Sequence, residues 1–80
     1  MNNNCKVNIP QLENELKFVG IALREMRLND GKRQIDYQED GVSRRQIQRA
    51  ETGNNISLKK LLIILDCYGY ILSDVYCNNL

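Results

Sequence analysis

The segment Gly41-Val42-Ser43-Arg44-Arg45-Gln46-Ile47-Gln48-Arg49-Ala50-Glu51-Thr52-Gly53 constrains this chain more than any other. Gly41 supplies a corner at which positive φ costs nothing, and Ser43 is an N-cap whose hydroxyl accepts from a backbone N–H two or three residues on. Helical spacing then turns Val42, Ile47 and Ala50 inward and leaves Arg44, Arg45, Gln48 and Arg49 on the open side, with Gly53 placed just past the helix end. A short helix over about Ser43 to Thr52, with its guanidinium groups on one side, is shaped to meet an anion. The plainer alternative is a charged face that is simply solvated.

Charge distribution separates these readings better than total charge does. The net charge is only +1, so the field of the whole protein steers nothing. From Ser43 to Lys60, however, Arg44, Arg45, Arg49, Lys59 and Lys60 stand against Glu51 alone, while Asp30 to Asp40 is acidic on balance. The basic charge is therefore a patch, which is the electrostatic footprint of a nucleic-acid binder.

Eighty residues, 42% apolar and 26% charged, make one domain with a small core and leave no room for a separate catalytic unit. The chain has no histidine, no glycine-rich phosphate loop and no carboxylate pair on an apolar wall, so the reading is not an enzyme. Cys5, Cys67 and Cys77 lack metal-ligand spacing and a neighbouring base, and read as buried or idle thiols; no metal or cofactor is expected. No leader-like segment opens the chain, and the longest apolar run, Leu61 to Leu65, is too short for a bilayer, so the expectation is a cytoplasmic protein.

Residues 1–8, with three consecutive asparagines, are expected to be a flexible N-terminus, and residues 9–80 one domain. Asn8 is a candidate N-cap, with Pro10 tolerated in the first turn. Leu12, Leu16, Val19, Leu23 and Met26 follow at spacings of 4, 3, 4 and 3, which predicts a helix over Ile9 to Leu28 with Gly20 as a weak point inside it. A short helix over Lys32 to Asp40 has only Ile35 and Tyr37 as apolar members. Ser57 caps the next helix, whose Leu58, Leu61, Leu62 and Leu65 form a core-facing stripe, and Gly69 closes it. Leu72, Val75 and Tyr76 have the spacing of a last helical turn, with a strand over Tyr70 to Tyr76 as the rival. The fold expected is an all-α, compact five-helix domain.

These blocks together resemble the phage repressor and Cro class of helix-turn-helix regulators, the xenobiotic-response-element family, from about Val19 to Tyr76. The carriers are Leu23-Arg24-Glu25-Met26-Arg27 with Gly31 four residues on, the Gly41 to Gly53 block, Ser57-Leu58-Lys59-Lys60-Leu61-Leu62, and the closing Gly69-Tyr70-Ile71-Leu72-Ser73-Asp74-Val75-Tyr76. The resemblance implies a lambda-repressor-like fold whose recognition helix enters the major groove of double-stranded DNA. It places Ser43, Arg44, Arg45, Gln48 and Arg49 at DNA, and matches Arg27 and Glu51 to a partly buried ion pair that ties the first helix to the recognition helix. The chain departs from the family between Lys32 and Asp40. Counting back from Gly41 puts Asp36 in a buried aliphatic slot and Tyr37 in a small-residue slot. Aligning Gly31-Lys32-Arg33-Gln34 with the family's glycine start instead shortens this helix by one residue. It also makes Tyr37 the core residue and puts Gln34 where the family's glutamine contacts phosphate; this register is preferred.

The function implied is a sequence-specific transcriptional regulator, a repressor in the first instance, acting as a homodimer on a palindromic operator. The apolar excess available for self-association lies around Tyr70, Ile71, Tyr76 and Leu80 and on the early turns of the first helix, although those residues fit a core role equally. With no sensing domain after Leu80, control is expected to come from concentration, a partner protein or competition for DNA. The alternative is the antitoxin of a toxin–antitoxin pair, which binds and inhibits a small partner protein.

Overall fold

In the computed structural model the described residues are 9–77, and among them every regular element is helical. The first, α1, spans Ile9–Asn29, one residue beyond the predicted end. It stops at Gly31, whose φ of 75° is costless without a Cβ. Its buried residues are Gly20, Ala22, Leu23, Met26 and Arg27, with Val19 packed against the same core. Leu12, expected in that stripe, is 49% exposed, and Leu16 is only half-buried. The expected cap at Asn8 lies outside the described residues.

The segment that departs from the resembled pattern is a 3₁₀ helix over Gln34–Asp40. At about 2.0 Å rise per residue against 1.5 Å for an α-helix, 3₁₀ winding spans more length with fewer residues. Asp36 does not enter the core: its carboxylate accepts from the Arg33 backbone N–H at 2.6 Å and from the Arg33 guanidinium at 3.0 Å, anchoring the start of the segment. Tyr37 is the member that is fully buried. Its ring lies 5.0 Å from that of Tyr68, and its hydroxyl donates to Asp30 at 2.9 Å.

After the Gly41 corner come α2 (Arg44–Glu51), α3 (Leu58–Tyr68) and the single turn α4 (Asp74–Cys77). Ser57 caps α3 by accepting from the Lys60 N–H at 3.2 Å, and Gly69 ends it. The face α3 buries is only in part the predicted one. Leu61 and Leu65 pack inward as expected, but their companions are Ile64 and Tyr68, whereas Leu58 and Leu62 are 61% and 43% exposed. Two stripes of helical period overlap in this apolar helix, and Tyr68, which has a ring partner and a buried hydroxyl partner, decides which one turns inward. The strand considered for Tyr70 to Tyr76 is not formed. Asp74 accepts from the Ile71 N–H at 2.8 Å, starting a turn that drives Val75 into the core.

The core thus joins Leu23 and Met26 of α1, Tyr37, Ile47 of α2, Ile64 and Leu65 of α3, and Val75 of α4. The most extensive helix contact is between α1 and α2, and it depends on Gly20. A Cβ built there would sit 2.6 Å from the carbonyl oxygen of Glu51 and 2.9 Å from that of Ala50. Read from the sequence as a weak point, Gly20 is where the end of α2 touches α1.

Candidate nucleic-acid interface

Local chemistry fixes both ends of α2. At the start, Ser43 Oγ accepts from the Gln46 N–H at 3.2 Å while Gln46 Oε1 accepts from the Ser43 N–H at 2.9 Å, a reciprocal capping box. At the end, the Gly53 N–H donates to the Ala50 carbonyl and the Asn54 N–H to the Arg49 carbonyl, with Gly53 at φ 84°. Between these ends Ile47 and Ala50 are buried beside Val42, and Arg44, Arg45, Gln48 and Arg49 are exposed, with Ser43 half-buried at the corner.

The open-side cations are not neutralised by the fold. The ion pairs among the described residues are Arg27–Glu51, Lys32–Asp30 and Arg33–Asp36, and none of them engages Arg44, Arg45 or Arg49. The basic surface also runs past both ends of α2. Arg44 shares a depression with Arg33, Gln34 and Ile35, and Arg49 shares one with Lys60, Asn55 and Ser57. Lys60 was read from the sequence only as part of the local charge; its position across from Arg49 depends on the turn between α2 and α3.

The inner side of α2 is held by one carboxylate. Glu51 accepts from Arg27 Nε at 2.7 Å and Nη2 at 3.1 Å, from Gln34 Nε2 at 3.1 Å and from the Tyr68 hydroxyl at 3.1 Å. Arg27 completes its own set by donating through Nη1 to the Lys32 carbonyl at 2.8 Å. The pair expected between Arg27 and Glu51 is therefore present, buried and bidentate, the geometry in which guanidinium and carboxylate match best. Its hydrogen bonds to Glu51 raise the Arg27 pKa, and burial together with the Glu51 charge pushes the Tyr68 phenol well above its ordinary value. Burial and the bond to Asp30 do the same to Tyr37.

Gln34 stands apart from the other expected contact residues. It is half-buried, and one of its two amide N–H groups is committed to Glu51, so the structure makes it part of the Glu51 shell. Of the thiols, Cys67 is half-buried, with its pKa raised by burial, and Cys77 is exposed; Cys5 lies outside the described residues. No group of His, Cys, Asp and Glu among the described residues is arranged to hold a metal ion, and no helix there is long and apolar enough to cross a membrane.

No protein-family model matches the chain, and neither a curated protein nor a solved structure matches it.

Proposed function

We propose that this chain is a sequence-specific DNA-binding regulator of the phage repressor and Cro class, acting as a homodimer on a two-fold related operator. The observation that carries the reading is the two-sided build of α2. One side is locked into the core through Ile47, Ala50 and the Glu51 ion pair, while the other presents Arg44, Arg45, Gln48 and Arg49 without intramolecular counter-charges among the described residues. A helix held in this way can enter a major groove without reorganising, and arginine matches the O6 and N7 of guanine.

A second feature supports the same reading. Helix N-termini favour acidic side chains, each worth about 0.3–1 kcal/mol, yet the first turns of α2 and α3 contain none and begin Arg44-Arg45 and Leu58-Lys59-Lys60. Local stability is given up to place cations at the starts of both helices, and Lys60 lies beside Arg49. A polyanion laid across these turns reverses the sign of that interaction.

The test is selection of bound duplexes from a random library, followed by titration of the selected site at several salt concentrations. Arg45→Ala is expected to weaken binding. If Arg45 reads a base, it also relaxes specificity at one position by about 1–3 kcal/mol; if it holds a phosphate, it lowers the salt slope by about one. Either result comes with a melting temperature within about two degrees of the parent, because an exposed charge contributes little to stability. Absence of association with any duplex at low ionic strength refutes the proposal.

A further inference from the structure

The outward face of α3 carries apolar residues that neither the core nor the DNA-binding reading uses. Lys59, Leu62, Ile63 and Asp66 lie at i, i+3, i+4 and i+7, so they share one stripe about 100° wide, with Leu58 along one border and Cys67 along the other. Leu58, Leu62 and Ile63 are 61%, 43% and 42% exposed, and Asp40 at the end of the 3₁₀ helix adjoins them. Lys59 and Asp66 are absent from the ion pairs among the described residues.

We infer that this face is the contact between two copies of the chain, formed by α3 packing antiparallel on its two-fold mate. The order of residues along the stripe argues for a second copy over a different partner. In an isologous contact residue i meets j and j meets i. With the axis passing between Leu62 and Ile63, Leu62 of each chain meets Ile63 of the other, Lys59 meets Asp66, and Leu58 meets Cys67. The apolar pair lies at the centre and opposite charges meet at both ends. Two lysines or two aspartates at 59 and 66 would repel in the same arrangement.

Another exposed apolar stripe, Phe18, Ile21 and Leu28 on α1, is partly roofed by its own chain, since Tyr76 stacks on Phe18 at 5.6 Å. Of the surface expected from the sequence, Tyr70 packs against the core and Tyr76 stacks on Phe18, whereas Ile71, Ile9 and Leu12 stay exposed, and Leu80 lies outside the described residues. The α3 contact gives the proposed homodimer its surface, and it rests on the DNA-binding reading only for its use, not for its formation.

The experiment is sedimentation of the full chain without DNA at low ionic strength, where exposed charge pairs are least screened. The wild type is expected to show a concentration-dependent monomer–dimer equilibrium. Lys59→Glu and Asp66→Lys, each placing like charges together twice, are each expected to weaken it by on the order of tenfold or more. An equimolar mixture of the two variants is expected to recover association near the wild-type level, because a mixed dimer pairs Glu with Lys at one end and Lys with Asp at the other. Circular dichroism melting of each variant verifies that the fold is intact. A wild type that stays monomeric at every concentration overturns the inference, as does a mixture that associates no better than its components. So does an association lost on Ile21→Glu but indifferent to positions 59 and 66. Failure here leaves the DNA reading of α2 standing, and failure to bind DNA leaves the α3 contact standing.

Discussion

Replacing Gly20 with alanine tests how the fold positions α2. On helix propensity alone the change stabilises, because a glycine inside a helix costs about 0.5–1 kcal/mol relative to alanine. The structure predicts the opposite sign. The added Cβ would lie 2.6 Å from the Glu51 carbonyl oxygen and 2.9 Å from that of Ala50, and both neighbours are backbone, with no rotamer to change. Restoring ordinary contact requires α2 to retreat from α1 by most of an ångström. Overpacking of this kind costs about 1–3 kcal/mol. The same retreat stretches the 2.7 Å bond from Arg27 to Glu51, one of a class worth about 1.5–3 kcal/mol.

Partial loss of that bond offsets the propensity gain, leaving the variant about 1–3 kcal/mol less stable. At about 4–8 °C per kcal/mol for a domain this small, melting falls by roughly 5–20 °C. Urea unfolding followed by far-UV circular dichroism gives the midpoint and slope. Gly31→Ala is the companion variant: its added Cβ meets nothing within 4 Å, and its φ of 75° charges only the left-handed penalty of about 1–2 kcal/mol. An alanine at 20 that leaves the protein as stable as the parent, or more so, refutes the close approach of α2 to α1.

Glu51→Gln keeps the shape and removes the charge, stranding Arg27; a loss of about 3–5 kcal/mol in denaturant unfolding is expected, and an unchanged midpoint would show that the buried pair contributes nothing. Asp36→Asn bears on acid stability. Its bonds to Arg33 hold the Asp36 pKa below the ordinary 3.8, so its contribution is complete above that value and is lost as pH falls through the lower folded pKa. The variant is therefore expected to have a shallower acid limb in stability against pH, and a limb as steep as the parent's contradicts the role. Arg44→Glu is expected to raise the melting temperature of the free protein by improving the charge at the start of α2, while abolishing duplex binding; a variant that binds as before removes Arg44 from the interface.

The parts legible in the sequence are those that local rules decide. Ser43, the inward set Val42, Ile47 and Ala50, and the closing Gly53 follow from capping and helical period within one turn of each other, and each is where those rules put it. The apolar stripe of α1 is legible from Val19 onward and fails at Leu12, because periodicity shows which side of a helix is apolar but not how far its neighbours extend. In α3 periodicity admits two stripes that share Leu61 and Leu65, and the side carrying Leu58 and Leu62 faces outward. Nothing within ten residues of Tyr68 says that its hydroxyl has a partner on α2.

The meeting of Gly20, Gln34 and Tyr68 at Glu51 is not legible in the sequence: one comes through the Glu51 carbonyl, two through its carboxylate. A single residue with partners on α1, the 3₁₀ helix and α3 cannot be derived from pattern along the chain, since each partner is specified only once the others are in place. The same convergence makes α2 mechanically asymmetric. Its C-terminal end is tied to three elements by Glu51, whereas its N-terminal end is held by the capping box and the Gly41 corner, which are local. Substitutions around Glu51 therefore act on stability and helix placement together, and those at Arg44 and Arg45 act on what the helix meets. Measuring unfolding and duplex binding on one variant from each end separates the two. Equal effects on both quantities at both ends would mean that α2 is not the rigid, one-end-anchored element this arrangement describes.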